Sequence, residues 1–249
     1  MIEFCSMRCD FGLIETFLCV GRRAPFWDAH WRRLKRSAEK IGIPLKTQVK
    51  HQVVAQIRRL GPHPHRVRLL LAPDGTPDIS IHGYDAPWLE SDEPLSEKLI
   101  CVVAPRDYPG VWGGLKTTAR GGLEKAFESA KSRGASDAIL HRSDILCETT
   151  RGNLFWIRDG AVHTPDLKLG CLPGVMRAWV IRRLRRWNIP VREGRYRRSA
   201  LDAADAVMRT NALISVSRVE EIVGLKKWPA PVHPLVLRLH IELKKLFGK

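Results

Sequence analysis

The region that most constrains the fold runs from residue 115 to residue 177. Lys116 follows a glycine-rich turn, and Glu148 follows an apolar run that is typical of a buried strand. Pro173-Gly174 precedes apolar residues at helical spacing, so a helix is predicted to begin there. The first backbone amides of a helix favour anions. The region therefore predicts an amine, a carboxylate and an anion-binding helix start.

A spaced motif begins at this carboxylate. It consists of Glu148, Asn153-Leu154-Phe155, Thr164 and Leu172-x-Gly174-Val175-x-Arg177. The motif resembles the signature of the class IV aminotransferase fold family, whose members use pyridoxal 5'-phosphate. The resemblance implies a mixed α/β (α+β) fold of two domains, the D-amino-acid aminotransferase-like fold type IV of pyridoxal phosphate enzymes. It also implies a homodimer with the site between domains and near the subunit interface.

The same resemblance implies roles for single residues. Lys116 lies 32 residues before Glu148, as the family's cofactor lysine does, and would form the Schiff base and act as general base. Glu148 would keep the pyridine nitrogen protonated. The phosphate would be held by the backbone amides of Val175 and Met176, by Arg33 of a His-x-x-Arg-Leu helix, and by the loop that contains Asn211 and Ala212.

Ordinary structural roles remain alternatives for these residues. Glu148 could be an acid at the end of a strand, and Arg33 could be one cation of a basic helix. Asn211 could be a turn residue, since asparagine favours turns. Lys125 and Lys131 also lie within reach of the motif, but both fall in a predicted amphipathic helix, where solvated charge is expected.

Further residues indicate a branch of the family. Lys116-Thr117-Thr118-x-Arg120 and Asn211-Ala212-Leu213 are similar to segments of aminodeoxychorismate lyases. Amino-acid aminotransferases usually carry tyrosine where this chain has Gly121. The resemblance implies a lyase that converts 4-amino-4-deoxychorismate into 4-aminobenzoate and pyruvate for folate synthesis, with Thr16 and Arg120 as substrate contacts. The alternative is an aminotransferase for branched-chain or D-amino acids.

Composition bears on the partners. The net charge is +16 and the isoelectric point about 10.1, which would attract a small anionic substrate. A nucleic-acid-binding protein on a borrowed fold is the rival from another class, but the chain has no zinc-finger spacing or aromatic RNA-binding motif. Cys5 and Cys9 have no second pair for a metal site. No membrane span or signal peptide is predicted, so we expect a cytoplasmic protein.

The density of proline and glycine predicts the domain boundary. Residues 105–115 carry the highest density and are the predicted linker. Residues 1–104 are then a small N-terminal α+β domain, and residues 116–249 a large C-terminal cofactor-binding domain.

Overall fold

The computed structural model describes residues 11–105, Tyr108 and residues 113–248. The chain forms two compact units. Unit 1 comprises Met1–Asp85 and Leu115–Ala119, and unit 2 comprises Ala86–Gly114 and Arg120–Lys249.

Unit 1 is built on an antiparallel three-stranded sheet. Its strands, in sheet order, are β1 (Leu13–Val20), β2 (Pro64–Leu71) and β3 (Pro77–Gly83), and its helices are α1 (Trp27–Ile41) and α2 (Gln48–Ile57). Asp74-Gly75, a dipeptide typical of hairpin turns, lies between β2 and β3. Gly75 in that turn has φ +84°, and a Cβ there would lie 2.3 Å from the carbonyl oxygen of Pro44, so the turn requires glycine.

One face of β1 packs against α1. Side chains alternate across a strand, which directs Glu15 and Phe17 toward the helix. The Phe17 ring lies 5.1 Å from that of Trp27 and 5.3 Å from that of His30, measured between centroids. The helix ends at Gly42, a left-handed C-cap whose amide donates to the carbonyl of Ala38.

The segment that carries Lys116 runs antiparallel to β1. Thr117 lies opposite Leu13, the amide of Ile14 donates to the carbonyl of Lys116 at 2.8 Å, and the amide of Thr118 donates to Gly12 at 2.9 Å. These bonds fix the register of Lys116 in unit 1.

Unit 2 is built on a mixed sheet. Its strands are β4 (Ser96–Val103), β5 (Asp137–Arg142), β6 (Ile145–Thr149), β7 (Asn153–Arg158), β8 (Ala161–Pro165), β9 (Val191–Gly194), β10 (Ala206–Asn211), β11 (Ser215–Ile222) and β12 (Lys226–Lys227). The sheet order is β6-β5-β4-β11-β10-β7-β8-β9, with β12 paired to β11. The helices are α3 (Gly121–Ser132), α4 (Val175–Arg186) and α5 (Pro234–Phe247).

A buried ionic network joins four strands of this sheet. Arg209 of β10 donates from Nε to Glu97 of β4 at 2.8 Å and from Nη1 to Asp137 of β5 at 2.5 Å. Ser217 of β11 also bonds to Glu97, and Thr150 bonds to Asp137. Buried charges are tolerated when they are paired and hydrogen-bonded in this way.

The domain boundary in the structure differs from the predicted one. Residues 86–104 belong to unit 2, because β4 pairs in parallel with both β5 and β11. Residues 115–119 belong to unit 1, because they pair with β1. A glycine-rich composition indicates loops but does not reveal which sheet a flanking strand joins. Most of the predicted linker after residue 105 lies outside the described residues.

The strand expected before Glu148 is β6, which extends through Glu148 to Thr149 and pairs with β5 in a hairpin that the sequence did not indicate. The connecting residues Ser143 and Asp144 have φ +45° and +66°, as a two-residue hairpin of this kind requires. The common sequence signal for such a hairpin is Asn-Gly or Asp-Gly, and Ser-Asp lacks it. No helix in the described parts of the chain is both long and apolar enough to cross a membrane.

Candidate active site

Glu148 lies in β6, buried, with its carboxylate surrounded by hydrogen-bond donors. The Tyr108 hydroxyl donates to Oε1 at 2.8 Å, and the Asn153 amide nitrogen donates to Oε2 at 3.1 Å. The backbone amide of Leu172 reaches both oxygens, at 3.2 and 3.0 Å. These three donors fix the orientation of the carboxylate.

The surroundings of Tyr108 favour the protonated hydroxyl, which can donate to Glu148. Burial raises the pKa of its hydroxyl far above the usual range, and the negative charge of Glu148 raises that pKa further. A tyrosine in such a setting keeps its proton and fixes one carboxylate oxygen. The sequence analysis assigned no role to Tyr108, because its distance from Glu148 along the chain carries no signal.

Asn153 connects the carboxylate to the start of α4. Its side-chain nitrogen also donates to the carbonyl of Leu172 at 3.0 Å. Gly174 is the N-cap of α4, and a Cβ at Gly174 would lie 2.0 Å from Oδ1 of Asn153. The glycine is therefore required for close packing of the helix start on β7.

The start of α4 offers backbone donors to an anion. Gly174 makes no side-chain cap hydrogen bond, and helix geometry gives the amides of Val175 and Met176 no intrahelical acceptor. Arg177 follows these two residues and has a structural role. Its Nη2 donates to the carbonyl of Pro165 and to Glu193, each at 2.9 Å. The two predicted amides thus lie where the sequence placed them, at a helix N-terminus.

The side chain of Asn211 holds its own loop together. Its Oδ1 accepts from the amides of Leu213 and Ile214, both at 2.9 Å, and its Nδ2 donates to the carbonyl of Arg151 at 3.1 Å. This is the turn role that asparagine favours. The contact of Asn211 and Ala212 with the phosphate stays a prediction.

Arg33 forms a buried ion pair in unit 1. Its Nε donates to Oε1 of Glu15 at 2.8 Å and its Nη2 to Oε2 at 2.5 Å, while Nδ1 of His30 lies 2.6 Å from Oε2. Burial alone would raise the pKa of Glu15, but the charge of Arg33 and hydrogen bonds from Arg33 and His30 outweigh it and lower the pKa to about 2. Two of the donors of Arg33 are thus bound to Glu15.

Lys116 lies within electrostatic reach of this ion pair, since burial lowers the pKa of His30 and the charges of Arg33 and Lys116 lower it further. The backbone pairing, however, assigns Lys116 to the face of β1 opposite Glu15.

Lys116 is paired with Ile14, and Thr16 follows two residues along on the same face. Arg68 of β2 lies directly across from Thr16, and Arg66 is two residues from Arg68 on that face. Both arginines are half-buried, and neither side chain forms a hydrogen bond or ion pair with the described residues.

Arg66 and Arg68 are the functional candidates that the sequence analysis missed. The alternation of Arg-Val-Arg-Leu placed both on one face of a strand, but only the register of β1 with β2 shows that Lys116 shares that face. The predicted substrate contact Arg120 lies in unit 2, where it donates to the carbonyl of Thr150 at 2.8 Å and to Glu124 at 3.3 Å.

Comparison with known proteins identifies the family. The model of the amino-transferase class IV family matches residues 12–222. The chain belongs to the class IV aminotransferase family. It is 26% identical to D-alanine aminotransferase of Staphylococcus epidermidis over 78% of this chain and 73% of that protein. It is 33% identical to aminodeoxychorismate lyase of Vibrio harveyi, over 49% of this chain and 46% of that protein.

A solved structure extends the likeness to nearly the whole chain. A Legionella pneumophila protein, provisionally named 4-amino-4-deoxychorismate lyase, superposes with a TM-score of 0.81 at 25% identity. The alignment covers 94% of this chain and 91% of that one. The predicted family and the fold type IV of pyridoxal phosphate enzymes are therefore confirmed.

Class IV aminotransferases depend on pyridoxal phosphate, and the residues of this chain fit that group. Gly174 lacks a side-chain cap at a helix start, which leaves amides for a phosphate. The Glu148 carboxylate is held in a fixed direction by hydrogen bonds, which suits a partner for a protonated pyridine nitrogen. Lys116 stays the predicted source of the amine.

Substitution of Gly174 by alanine tests the helix start. The new Cβ must displace Asn153, which disturbs both the amides of α4 and the donors to Glu148. We expect Gly174→Ala to weaken cofactor affinity at least about tenfold and to destabilise the protein by about 1–3 kcal/mol. Absorbance titration with pyridoxal phosphate and thermal denaturation measure the two effects.

Gly121→Ala is the control, because a Cβ there meets no atom within 4 Å. Equal affinities of the two variants would contradict this account.

The Glu15 ion pair predicts a pH dependence of stability. The native pKa of about 2 lies below the ordinary 4.5, so the ionised carboxylate stabilises the protein above pH 4.5, and this contribution is lost as the pH falls toward 2. From pH 5 to pH 2 the free energy of unfolding of the native protein should fall by about 3 kcal/mol more than that of Glu15→Gln.

Urea denaturation at several pH values measures this difference. Glu39→Gln, at an exposed site on α1, is the control and should follow the native profile. If Glu15→Gln has the same pH slope as the native protein, the ion pair does not stabilise the fold.

Proposed function

We propose that this chain is a 4-amino-4-deoxychorismate lyase that uses pyridoxal phosphate and releases 4-aminobenzoate and pyruvate. The observation that carries the proposal is the face of unit 1 on which Lys116, Thr16, Arg66 and Arg68 lie together. The substrate carries two carboxylates and an amine. An amine-binding lysine beside two arginines without partners among the described residues suits such a substrate.

The residues of the chain have distinct tasks in this reaction. Nζ of Lys116 binds the cofactor and, once displaced by the substrate amine, removes the proton from the carbon that bears nitrogen. The bound pyridoxal phosphate supplies an electron sink for the electron pair left on that carbon. The bond between the substrate ring and the enolpyruvyl oxygen would break, Lys116 would return the proton to the enolpyruvyl group to give pyruvate, and the substrate ring would become aromatic. Lys116 would then displace the amine of 4-aminobenzoate.

The other residues bind and orient. The Glu148 carboxylate holds the proton on the pyridine nitrogen, while Tyr108 and Asn153 keep that carboxylate in place. The amides of Val175, Met176 and Ala212 hold the phosphate. Arg68 and Thr16 receive a substrate carboxylate. Arg33 supplies positive charge for the phosphate, and its ion pair with Glu15 fixes the direction of its guanidinium.

Two further features favour the lyase over an aminotransferase. Gly121 stands where amino-acid aminotransferases usually have tyrosine, and the space around its Cβ position is open. The Asn211-Ala212-Leu213 loop has the lyase-like sequence. The likeness to D-alanine aminotransferase over 78% of the chain supports the second candidate, an aminotransferase for D-amino or branched-chain amino acids. It predicts conversion of the cofactor to its amine form by an amino acid alone.

The proposal extends to the setting of the enzyme. We propose a cytoplasmic homodimer that acts on a small anionic substrate and binds neither nucleic acid nor membranes. The net charge of +16 supports the choice of an anionic substrate, since such a field speeds the approach of anions. Sedimentation of the purified chain tests the dimer.

Product formation tests the lyase and its lysine together. We expect the protein with pyridoxal phosphate to release 4-aminobenzoate from enzymatically made aminodeoxychorismate, and Lys116→Ala to release none, because it lacks both the covalent anchor and the base. Chromatography of 4-aminobenzoate is the measurement. Lys125→Ala, on the exposed side of α3, is the control and should remain active. Cofactor binding without product would favour the aminotransferase.

Substitution of Arg68 tests the basic face. Loss of its charge should weaken substrate binding, so Arg68→Gln should raise KM by about tenfold or more, as expected for a lost charge-assisted hydrogen bond of about 1.5–3 kcal/mol. Cofactor affinity should stay unchanged. Arg36→Gln, at an exposed position of α1, controls for the change in net charge. If both variants have the native KM, Arg68 does not contact the substrate.

A further inference from the structure

Trp88 makes a buried contact with the Asn211–Ile214 loop. It lies in the short 3-10 helix Pro87–Leu89 and is 1% exposed. Its indole Nε1 donates to the carbonyl of Leu213 at 2.8 Å, across 125 residues of sequence. A buried carbonyl gains most from a donor that is itself fixed. Trp88 therefore anchors the loop from outside.

The loop is also anchored from within. The two bonds accepted by Asn211 hold the amides of Leu213 and Ile214, and its own amide group binds the carbonyl of Arg151. The amide of Leu213 is therefore bonded to Asn211 and its carbonyl to Trp88, so both backbone polar groups of Leu213 have partners. Ala212 lies between the anchored residues, and its amide has no hydrogen-bond acceptor among the described residues. The contacts thus fix the orientation of a free amide.

Trp88 is itself held by the C-terminal helix α5. Its ring meets Phe247 edge-on at 5.5 Å and His240 at 6.2 Å, measured between centroids. Nε2 of His240 and Nζ of Lys244 both donate to the carbonyl of Ser91, at 3.1 and 2.7 Å. The helix therefore clamps the segment around Trp88 at two points, and the indole N–H has one available direction.

We propose that Trp88 is a positioning residue for the cofactor phosphate, acting through the carbonyl of Leu213 on the amide of Ala212, with α5 as its support. The inference rests on the proposed role of the loop in phosphate binding. An amide whose direction is fixed in advance binds an anion without the entropic cost of ordering a loop. Loss of the anchor should therefore weaken the binding of phosphate and leave contacts to the rest of the cofactor intact.

The chain offers a matched control for the lost hydrogen bond. Trp228 is buried, and its Nε1 donates to the carbonyl of Ala204 at 2.8 Å, away from the loop. Trp88→Phe and Trp228→Phe each remove one buried indole donor of the same geometry. A purely structural role predicts similar losses of melting temperature and no difference in ligand binding between the two variants.

The experiment is a titration of the full-length apoprotein with pyridoxal 5'-phosphate and, separately, with pyridoxal, which lacks the phosphate. We expect Trp88→Phe to raise the Kd for pyridoxal phosphate about fivefold, the size expected for one hydrogen bond, and to leave the Kd for pyridoxal unchanged. Trp228→Phe should keep both values within about twofold of the native protein. Phe247→Leu keeps the indole of Trp88 but loosens its packing. It should raise the Kd for pyridoxal phosphate by a smaller factor than Trp88→Phe does.

The outcomes separate this inference from the proposed function. Asn211→Ala removes the internal anchors and should weaken pyridoxal phosphate binding more than pyridoxal binding. If it does, and Trp88→Phe has the same Kd values as Trp228→Phe, the role of Trp88 is overturned while the phosphate role of the loop is supported. If Asn211→Ala changes neither Kd, the phosphate role of the loop fails, and the inference fails with it. If Trp88→Phe does not fold, an unchanged phosphate selectivity of Phe247→Leu overturns the inference.

Discussion

The burial of the Glu148 carboxylate is the constraint on which the candidate site depends. An ionised carboxylate removed from water is costly unless donors surround it. Tyr108, Asn153 and the amide of Leu172 supply those donors from three separate segments. The hydrogen bonds to the Glu148 carboxylate therefore bring together β6, β7 and the turn that leads into α4. The oriented carboxylate and the helix start are consequences of the same set of bonds.

Several residues of the family signature turn out to be structural. Thr164 donates to the carbonyl of Leu154 at 2.8 Å, which secures β8 against β7. Arg177 ties α4 to β8 and β9, and Asn153 ties β7 to the turn before α4. The spacing of the signature is thus the spacing at which strand, loop and helix can meet around Glu148. These bonds explain why the motif constrains the fold as well as the candidate site.

Much of the local structure follows from the sequence. The apolar spacing of α1 and α4 and the Asp74-Gly75 turn predicted their elements within a few residues of the observed bounds. The chemical candidates Lys116, Glu148, Val175 and Met176 were also found from the motif and its spacing. Prediction failed where partners are distant in sequence: the strand β4 was assigned to the wrong unit, and Tyr108 had no signal.

The sequence by itself determined the family, the cofactor and the elements that carry the candidate groups, because helical periodicity, turn residues and a spaced motif are local. Only the tertiary structure decided which donors hold Glu148, that Asn211 uses its side chain within its own loop, and that Arg68 shares a face with Lys116. The physical reason is that register and burial depend on pairings between distant segments. A one-residue shift in the pairing of β1 with β2 would place Arg68 on the opposite face.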